Sequence, residues 1–458
     1  MRQIVPPIGL VQKILGRQKE KEKEGTPYRL TTHCVRLEQP EGVLLYHTLT
    51  GELLLLEKEE AELLQKLSGP VPAALAELVP RRFLTPRGAD EMALTDQARD
   101  IARRLGGENI PLTEYLIFTT TACNARCFSC FEAGIKKAAM TEETALAAGA
   151  YIADHCGGKP VRLAWFGGEP LVNVKAIDAI SGVLRRRGVA FTSRMDSNGY
   201  LFDGALAARA RADWGMDQVQ ITLDGTEEVY NRRKAYVNPE GSPFQRVLGN
   251  IGPLLDAGLE VAVRINMDGD NERDLYALVD DLAARFGGRP GFSIYCRVLI
   301  EHKGEAPAGY TEQERSALAE KARAMWAYLA QKGVAAERPL NQGPVLYSCW
   351  SDKAHAATIT PEGRLGRCET RIDEGLWGSV FSEDRDEAVL RQWRERRPPE
   401  ELCRTCALYP RCVRLKHCVV RTERCSPIER AEMGLRLRQG ILGAYEQWKT
   451  GCPDRAGP

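Results

Sequence analysis

The sequence predicts an α/β fold whose largest part is a partial (β/α)6 barrel, three quarters of a TIM barrel. From Leu112 to about residue 300, strand-like and helix-like segments alternate, which is the pattern of a parallel β/α array. The most unusual residues follow the strands, and in such barrels the ligand-binding loops lie beyond the carboxyl ends of the strands. Strands are expected near 114–119, 161–165, 190–195, 217–222, 260–266 and 292–299, and helices near 142–155, 174–187, 203–212, 243–257 and 272–285.

Length and composition narrow the range of functions. The chain has 458 residues, enough for two or three domains, and its 63 basic and 62 acidic residues nearly cancel, which gives no reason to expect a nucleic-acid partner. The amino terminus lacks a signal-peptide pattern, and no apolar run is long enough to span a membrane. We therefore expect a cytoplasmic protein without a membrane partner, in which most of the fourteen cysteines bind metal rather than form disulfides.

The first hundred residues predict a small winged-helix module, preceded by a solvated helix or arm in the charged stretch 8–24. Strands are expected at 33–38, 42–46 and 52–56, and helical segments at 58–68, 72–78 and 95–105. The module resembles the PqqD-like recognition element for leader peptides of ribosomally made, post-translationally modified peptides (RiPPs). That resemblance implies binding of an extended peptide by β-augmentation. A capping domain and a nucleic-acid-binding winged helix are the alternatives.

Three cysteines, Cys123, Cys127 and Cys130, follow the first barrel strand. Three thiolates cannot complete the four-cysteine shell of an ordinary ferredoxin cluster, so one iron would be left open. An open metal position beside a bound cofactor is a catalytic arrangement. Cys-x3-Cys-x2-Cys after an apolar strand resembles the motif of the radical SAM enzymes, whose [4Fe-4S] cluster binds S-adenosyl-L-methionine (SAM). A structural zinc site with a fourth ligand elsewhere is the alternative.

The residues after the second strand, Phe166-Gly-Gly-Glu-Pro170, resemble the Gly-Gly-Glu-Pro motif of the same family. The resemblance implies that Gly167 and Gly168 let the backbone approach the cofactor. It also implies that Glu169 accepts hydrogen bonds from the methionyl ammonium of SAM.

Three later strands end in polar residues that belong to the same pattern. Ser197 and Asn198 resemble the family's Ser-Asn-Gly turn, which contacts SAM, although an ordinary Asn-Gly turn is the alternative. Asp224 matches the Leu-Asp-Gly ending of the fourth strand or caps the next turn. Arg264 and Asn266 face one side of the fifth strand, where Arg264 could pair with the SAM carboxylate.

The cysteine motif departs from the family at one position. The family usually has an aromatic residue immediately before the third cysteine, close to adenine. Here that position is Ser129, with Phe128 and Phe131 nearby. The sequence therefore does not identify the side chain that would stack on adenine.

The carboxyl-terminal region is rich in cysteines, and their spacing resembles the SPASM signature. A zinc ribbon is the competing interpretation, but it does not account for a seven-cysteine arrangement attached to such a core. By the resemblance, one auxiliary [4Fe-4S] cluster would be bound by Cys349, Cys368 and Cys418, and a second by Cys403, Cys406, Cys412 and Cys425.

The first auxiliary cluster lacks an obvious fourth ligand. Many relatives have another cysteine just upstream of the position of Cys349, and residues 340–348 contain none. The cluster would then keep an open iron or use Cys296 or His355. Three further cysteines match no motif and are expected to be buried or incidental: Cys34, Cys156 and Cys452.

Together these resemblances imply a RiPP maturase with three domains, at 1–108 (recognition element), 109–338 (radical SAM barrel) and 339–458 (SPASM). Its cofactors would be SAM and three [4Fe-4S] clusters, and its partners a precursor peptide with a leader and an electron donor such as flavodoxin or ferredoxin. The expected reaction is peptide cross-linking after hydrogen abstraction by a 5′-deoxyadenosyl radical. Thioether formation is favoured, because an open auxiliary iron could hold a substrate thiolate.

Other functions stay open at this stage. Within the same class, the product could be a carbon–carbon or carbon–oxygen cross-link, or formylglycine, as in anaerobic sulfatase maturases. The amino-terminal module argues against formylglycine, because those enzymes lack such a domain. A non-catalytic iron–sulfur electron-transfer or scaffold protein is the alternative from another class. No Ser-His-Asp arrangement, Walker loop or dinucleotide fingerprint is recognisable by spacing.

Overall fold

The computed structural model describes residues 1–9, 11, 13, 26–105, 110–299, 311–336, 340, 349–418 and 425–451. Most of the charged stretch 8–24, most of the segment 340–348 and Cys452 lie outside the described residues. In the described part of the chain, no helix combines the length and the apolar character that crossing a bilayer requires.

The amino-terminal region contains a four-stranded antiparallel sheet of order β1-β5-β4-β3 and a two-stranded ribbon of β2 and β6. The elements are β1 (Arg2–Val5), β2 (Tyr28–Leu30), β3 (Cys34–Gln39), β4 (Gly42–His47), β5 (Leu53–Glu57), α1 (Lys58–Gln65), a 3₁₀ turn (Ala73–Leu78), β6 (Leu84–Pro86) and α2 (Glu91–Leu105). The three predicted strands are confirmed. Strand β1, at the edge beside β5, was not predicted.

Both faces of this sheet are buried, which explains the apolar run Leu53–Leu56. Leu54 and Leu56 pack on the side of α1, in a cluster that includes Leu64. Leu53 and Leu55 point the opposite way and share a cluster with Ile441 and other residues of the carboxyl-terminal region. The module is therefore joined to the far end of the chain by an apolar core.

The predicted barrel is confirmed. Six parallel strands pair in chain order. The strands are β7 (Glu114–Thr120), β8 (Val161–Gly167), β9 (Phe191–Ser197), β10 (Met216–Thr222), β11 (Glu260–Met267) and β12 (Phe292–Val298). The helices are α3 (Glu142–His155), α4 (Val174–Arg186), α5 (Gly204–Asp213), α6 (Glu227–Lys234), α7 (Pro243–Asp256) and α8 (Glu272–Phe286). Helix α6 was not predicted.

The carboxyl-terminal region shares the barrel's sheet. Strand β13 (Ala356–Ile359) pairs in parallel with β7, and β14 (Arg364–Gly366) and β15 (Gly378–Ser379) continue the sheet beyond it. The first strands of the cysteine-rich region therefore extend the barrel's sheet. The remaining helices are α9 (Glu312–Gln331), α10 (Glu387–Gln392) and α11 (Pro427–Lys449), with 3₁₀ turns at Trp350–Asp352, Glu401–Thr405 and Tyr409–Arg411.

Candidate iron–sulfur and SAM site

The loop after β7 brings three thiols into one volume. Burial raises the pKa of Cys123 to about 11, and the neighbouring Glu169, Cys127 and Cys130 add to this shift. Burial also raises the pKa of Cys130, with Cys127 again contributing. Cys123, Cys127 and Cys130 form no disulfide. The structure therefore groups the three predicted ligands at the carboxyl edge of the sheet.

The carboxyl end of α6 holds this loop in place through the backbone. The amide of Arg126 donates to the carbonyls of Lys234 and Ala235, each at 3.0 Å, and the amide of Phe128 donates to the carbonyl of Arg233 at 3.1 Å. These bonds leave the cysteine side chains free to point elsewhere. Sequence reasoning missed this support, because the partners lie about a hundred residues apart and carry no local signal.

Gly167 and Gly168 bring the end of β8 against the same loop. The amide of Gly168 donates to the carbonyl of Thr120 at 3.1 Å, and that of Glu169 donates to the carbonyl of Ala122 at 3.0 Å. A Cβ on Gly167 would lie 2.0 Å from the Thr120 oxygen, and one on Gly168 would lie 2.3 Å from the Ala122 oxygen. The absence of side chains at the two glycines therefore lets the backbone of the cysteine loop come close to the end of β8. That the glycines also let the backbone approach the cofactor stays a prediction.

Glu169 connects the cysteine loop to the turn after β9. Its carboxylate accepts hydrogen bonds from the amide of Leu171 (3.2 Å), the hydroxyl of Ser197 (3.0 Å) and the amide of Asn198 (2.8 Å). The side-chain amide of Asn198 in turn donates to Asn124 at 2.7 Å, beside Cys123. Glu169 is fully buried, and this burial raises the pKa of its carboxyl group to about 7. Glu169, Ser197 and Asn198 thus form one buried network next to the three thiols.

A row of polar side chains continues across β10 and β11. The ammonium of Lys234 lies 3.1 Å from Asp224, Asn266 donates to Asp224 at 2.8 Å, and Arg264 donates to Asn266 at 2.8 Å. Asp224 therefore pairs with Lys234; the N-cap of α6 is Thr226. Lys234 is buried; burial alone would lower its pKa, but Asp224 and Cys127 outweigh this and raise it. Arg264 lies on this row, within electrostatic reach of Asp196.

The aromatic residues around Ser129 take two different positions. The ring of Phe128 is about half exposed, at 52%, and the guanidinium of Arg233 lies over it at 4.7 Å. The ring of Phe131 lies 6.2 Å from that of Phe166. Each ring thus already has a protein neighbour beside the cysteine loop.

The four cysteines assigned to the second auxiliary cluster line one cavity. Its volume is about 350 Å³, and Cys403, Cys406, Cys412 and Cys425 all contribute to its wall. Four cysteines around one cavity are the donor set that a [4Fe-4S] cluster requires. The residues present therefore fit the group that the sequence implies.

Of the other predicted ligands, Cys349 and Cys368 lie near one carboxylate. Burial raises the pKa of each thiol, and Glu369 contributes to both shifts. Burial also raises the pKa of Glu369, whose Oε2 atom is buried without a hydrogen-bond partner. Sequence reasoning missed Glu369; its position next to Cys368 was the available signal. It is a further candidate for the open ligand position.

The two ligands suggested from the sequence have other surroundings. The imidazole of His355 lies 3.3 Å from Glu114, and the thiol of Cys296 is buried in β12. Of the cysteines outside the motifs, Cys156 is buried in the main core and Cys34 packs against the amino-terminal core, as predicted. Among the described residues, no three His, Cys, Asp or Glu side chains are arranged to hold a single metal ion.

The comparisons with known proteins agree with this fold. Residues 117–282 match the model of the radical SAM superfamily. Native anSMEcpe with bound AdoMet and the Kp18Cys peptide has a TM-score of 0.55 at 13% identity, covering 74% of this chain and 99% of that chain. Native anSMEcpe with bound AdoMet has a TM-score of 0.54 at 13% identity, covering 74% of this chain and 100% of that chain.

A third solved structure covers more of the chain. SuiB of Streptococcus suis has a TM-score of 0.50 at 14% identity, covering 84% of this chain and 94% of that chain. At these identities the likeness shows a shared fold alone. No curated protein matches the sequence.

Proposed function

We propose that this chain, whose residues 117–282 match the radical SAM superfamily model, is a maturase that cross-links a ribosomally made precursor peptide. The observation that carries the proposal is the convergence of three thiols with the buried Glu169 network at the carboxyl edge of the parallel sheet. A [4Fe-4S] cluster held there would supply reductive cleavage of SAM and a 5′-deoxyadenosyl radical that abstracts hydrogen from a substrate carbon.

The residues around the thiols have separate roles in this proposal. Cys123, Cys127 and Cys130 hold the cluster. Gly167 and Gly168 fix the cysteine loop against β8, because no larger side chain fits between the two backbones. The carboxylate of Glu169 keeps the Ser197–Asn198 turn beside the loop, so that polar groups meet the amino-acid part of SAM.

Arg264 has a separate role on the next part of the sheet. It belongs to the row of polar side chains that includes Asn266 and Asp224, and its guanidinium is the proposed partner of the SAM carboxylate.

The amino-terminal sheet supplies the edge for the peptide. Among the described residues, β3 is an outer strand that pairs with β4 over six residues in unbroken register. The opposite edge is formed by β1, which is shorter and irregular between Gln3 and Val5. A long, regular edge favours β-augmentation, so we place the leader beside β3. Hydrogen exchange of the full chain with a bound precursor should slow at residues 34–39; slowing confined to residues 2–5 would move the peptide to the other edge.

Thioether formation remains the preferred product. Cys349 and Cys368 lie near Glu369, and no fourth cysteine is assigned to this set. Mössbauer spectra of the wild type and of Glu369→Gln decide whether a protein carboxylate completes the first auxiliary cluster. A cluster fully ligated by protein with substrate bound would remove the reason to prefer a thioether.

A second candidate function follows from the fold likeness to anSMEcpe, whose structure holds AdoMet and a peptide. That likeness covers 74% of this chain, so about a quarter of the chain lies outside it. Formylglycine formation would produce an aldehyde that a hydrazide probe detects. A thioether product would instead lose one hydrogen pair per cross-link and leave no thiol for alkylation, whereas a carbon–carbon link would leave the thiols reactive.

The test combines two measurements on anaerobically reconstituted protein. With dithionite and SAM, we expect 5′-deoxyadenosine by liquid chromatography and mass spectrometry. When the chain is co-expressed with a peptide encoded by a neighbouring small open reading frame, we expect that peptide to lose one hydrogen pair per cross-link. Fully loaded clusters without 5′-deoxyadenosine would indicate an electron-transfer or scaffold protein instead.

A further inference from the structure

The wall of the four-cysteine cavity is unusually rich in arginine. Five arginines and three carboxylates line it together with the four thiols. Two of the arginines are already engaged: Arg397 donates to the backbone at Leu415 and Lys416, and Arg414 is paired with Glu400. Arg99 and Arg396 each keep buried donor nitrogens without a hydrogen-bond partner.

Arg99 reaches this wall from the amino-terminal module. It lies on α2 and is almost fully buried, with 2% of its surface exposed. Its Nη2 donates to the carbonyl of Tyr409 at 2.6 Å and to that of Cys412 at 2.8 Å, and its Nη1 lies 3.3 Å from Asp96. The guanidinium also lies over the Tyr409 ring at 5.2 Å. The side chain is therefore fixed in one orientation against the loop that carries Cys412.

The remaining donors of the two arginines are buried and unsatisfied. The Nε of Arg99 and the Nε and Nη2 of Arg396 have no hydrogen-bond partner in the structure. A buried guanidinium N–H without an acceptor is unfavourable, and native structures rarely keep one without a reason. Both residues line the cavity of Cys403, Cys406, Cys412 and Cys425, where an anionic acceptor is expected.

We propose that Arg99 and Arg396 direct these donors at the sulfur atoms of the second auxiliary cluster and raise its reduction potential. The inference rests on the proposed function, which places a [4Fe-4S] cluster in the cavity. Such a cluster becomes more negative on reduction, so fixed cations and hydrogen bonds to sulfur stabilise the reduced form more than the oxidised form. Burial strengthens the effect, because little water screens the charges.

One consequence distinguishes Arg99 from Arg396. Arg99 belongs to the module proposed to bind the leader, whereas Arg396 belongs to the cysteine-rich region itself. The seating of α2 on the Tyr409–Cys412 loop thus contributes to the potential of a distant redox centre. A purely structural role for Arg99, as a tie between two regions, would leave that potential unchanged.

The experiment is a potentiometric titration of the full chain followed by EPR. Cys123, Cys127 and Cys130 are replaced by Ala in all samples, so that only the auxiliary clusters contribute, and Cys403→Ser identifies the signal of the second. Arg99→Met and Arg396→Met should each shift the midpoint of that signal to lower potential, and Arg99→Lys should shift it less than Arg99→Met. Arg404→Met, which removes an exposed charge next to Cys403, should leave it in place.

The outcomes separate the inference from the proposed function. Iron content near wild type with unchanged midpoints in both Met variants would overturn the inference alone. If Arg99→Met fails to retain iron, the midpoint of Arg396→Met alone tests the inference, and an unchanged midpoint at near wild-type iron content overturns it. If the chain with native auxiliary cysteines never shows a second cluster signal, the cluster assignment behind the proposed function fails instead.

Discussion

The two cysteine sites that the structure defines best are built in different ways. The loop of Cys123, Cys127 and Cys130 is held by backbone hydrogen bonds and by the glycines at the end of β8. The cavity of Cys403, Cys406, Cys412 and Cys425 is walled instead by charged side chains, some of which come from a different part of the chain. The first site contains three cysteines, whereas four cysteines line the second.

This difference suggests a division of labour. Backbone support positions reactive atoms, because it tolerates little displacement, and a precise geometry favours bond cleavage. A wall of cations and hydrogen-bond donors tunes how readily a cluster accepts an electron. We therefore expect substitutions at the first site to affect SAM cleavage, and substitutions at the second to affect the later steps on the peptide.

The largest effect should come from removing a thiol at each site. Cys127→Ala should reduce formation of 5′-deoxyadenosine by roughly a hundredfold or more, because the cluster loses one of three protein ligands. Cys406→Ala should leave SAM cleavage within about threefold of wild type while abolishing the mature peptide. Both products are measured by mass spectrometry on the same samples. Equal loss of SAM cleavage in the two variants would remove the distinction between the sites.

The next largest effect tests the backbone support of the first site. Gly168→Ala would place a methyl group 2.3 Å from the carbonyl oxygen of Ala122, so the cysteine loop must move. We expect SAM cleavage to fall by about tenfold to a hundredfold, since small displacements at a reacting centre have effects of this size. Gly249→Ala is the control, because nothing lies within 4 Å of its added carbon. Similar activity in the two variants would show that the close approach is not needed.

A smaller effect is expected at the buried ion pair of the first site. Lys234→Met leaves Asp224 buried without its cation and should destabilise the fold by about 3–5 kcal/mol. Lys332→Met, whose pair with Asp280 is largely exposed, should change stability much less. Thermal unfolding of the two variants measures the contrast. Adding Asp224→Asn to Lys234→Met should restore part of the loss, and a further decrease would contradict the ion-pair account.

The smallest effect concerns the junction between barrel and carboxyl-terminal region. Burial would raise the pKa of Glu114, but hydrogen bonds from His355 and Lys353 outweigh it and lower the pKa to about 2. A carboxyl group with a lowered pKa stabilises the fold above its ordinary pKa, and that contribution disappears as the pH falls toward 2. Glu114→Gln should therefore cost roughly 2 kcal/mol at pH 7.

The same substitution has a defined pH dependence. The difference between wild type and Glu114→Gln should shrink below about pH 4.5, where the unfolded carboxyl group takes up its proton. Urea unfolding of the cluster-free chain at pH 7 and near pH 3 checks this. Glu383→Gln is the matched control, because that carboxylate is 85% exposed beside His155. A difference that is constant with pH would mean that the Glu114 carboxylate makes no net ionic contribution.

The sequence predicted the barrel well because its signals are local. The bounds of the elements predicted between Glu114 and Val298 agree with the structure within two residues, and α6 in this range was not predicted. The glycine and cysteine motifs were equally local. Their positions after β7 and β8 follow directly from the direction of parallel strands.

The missed features depend on contacts between distant parts of the chain. Strand β13 joins β7 across more than two hundred residues, and Arg99 meets Cys412 across more than three hundred. Neither contact leaves a periodic or spaced pattern in the sequence. Glu369 was missed for another reason, since a single carboxylate beside a cysteine looks like any surface acid until its burial is known.

The central claim is that this chain uses SAM to abstract hydrogen from a peptide. In the most direct measurement, the reduced, reconstituted chain is incubated with SAM and a precursor peptide deuterated at its aliphatic carbons. The mass of the 5′-deoxyadenosine formed is then determined by mass spectrometry. We predict deuterium in that product in the presence of the peptide and none in Cys127→Ala samples. The claim would be contradicted if the chain with fully loaded clusters formed no 5′-deoxyadenosine. It would also be contradicted if the 5′-deoxyadenosine acquired no deuterium although the peptide binds.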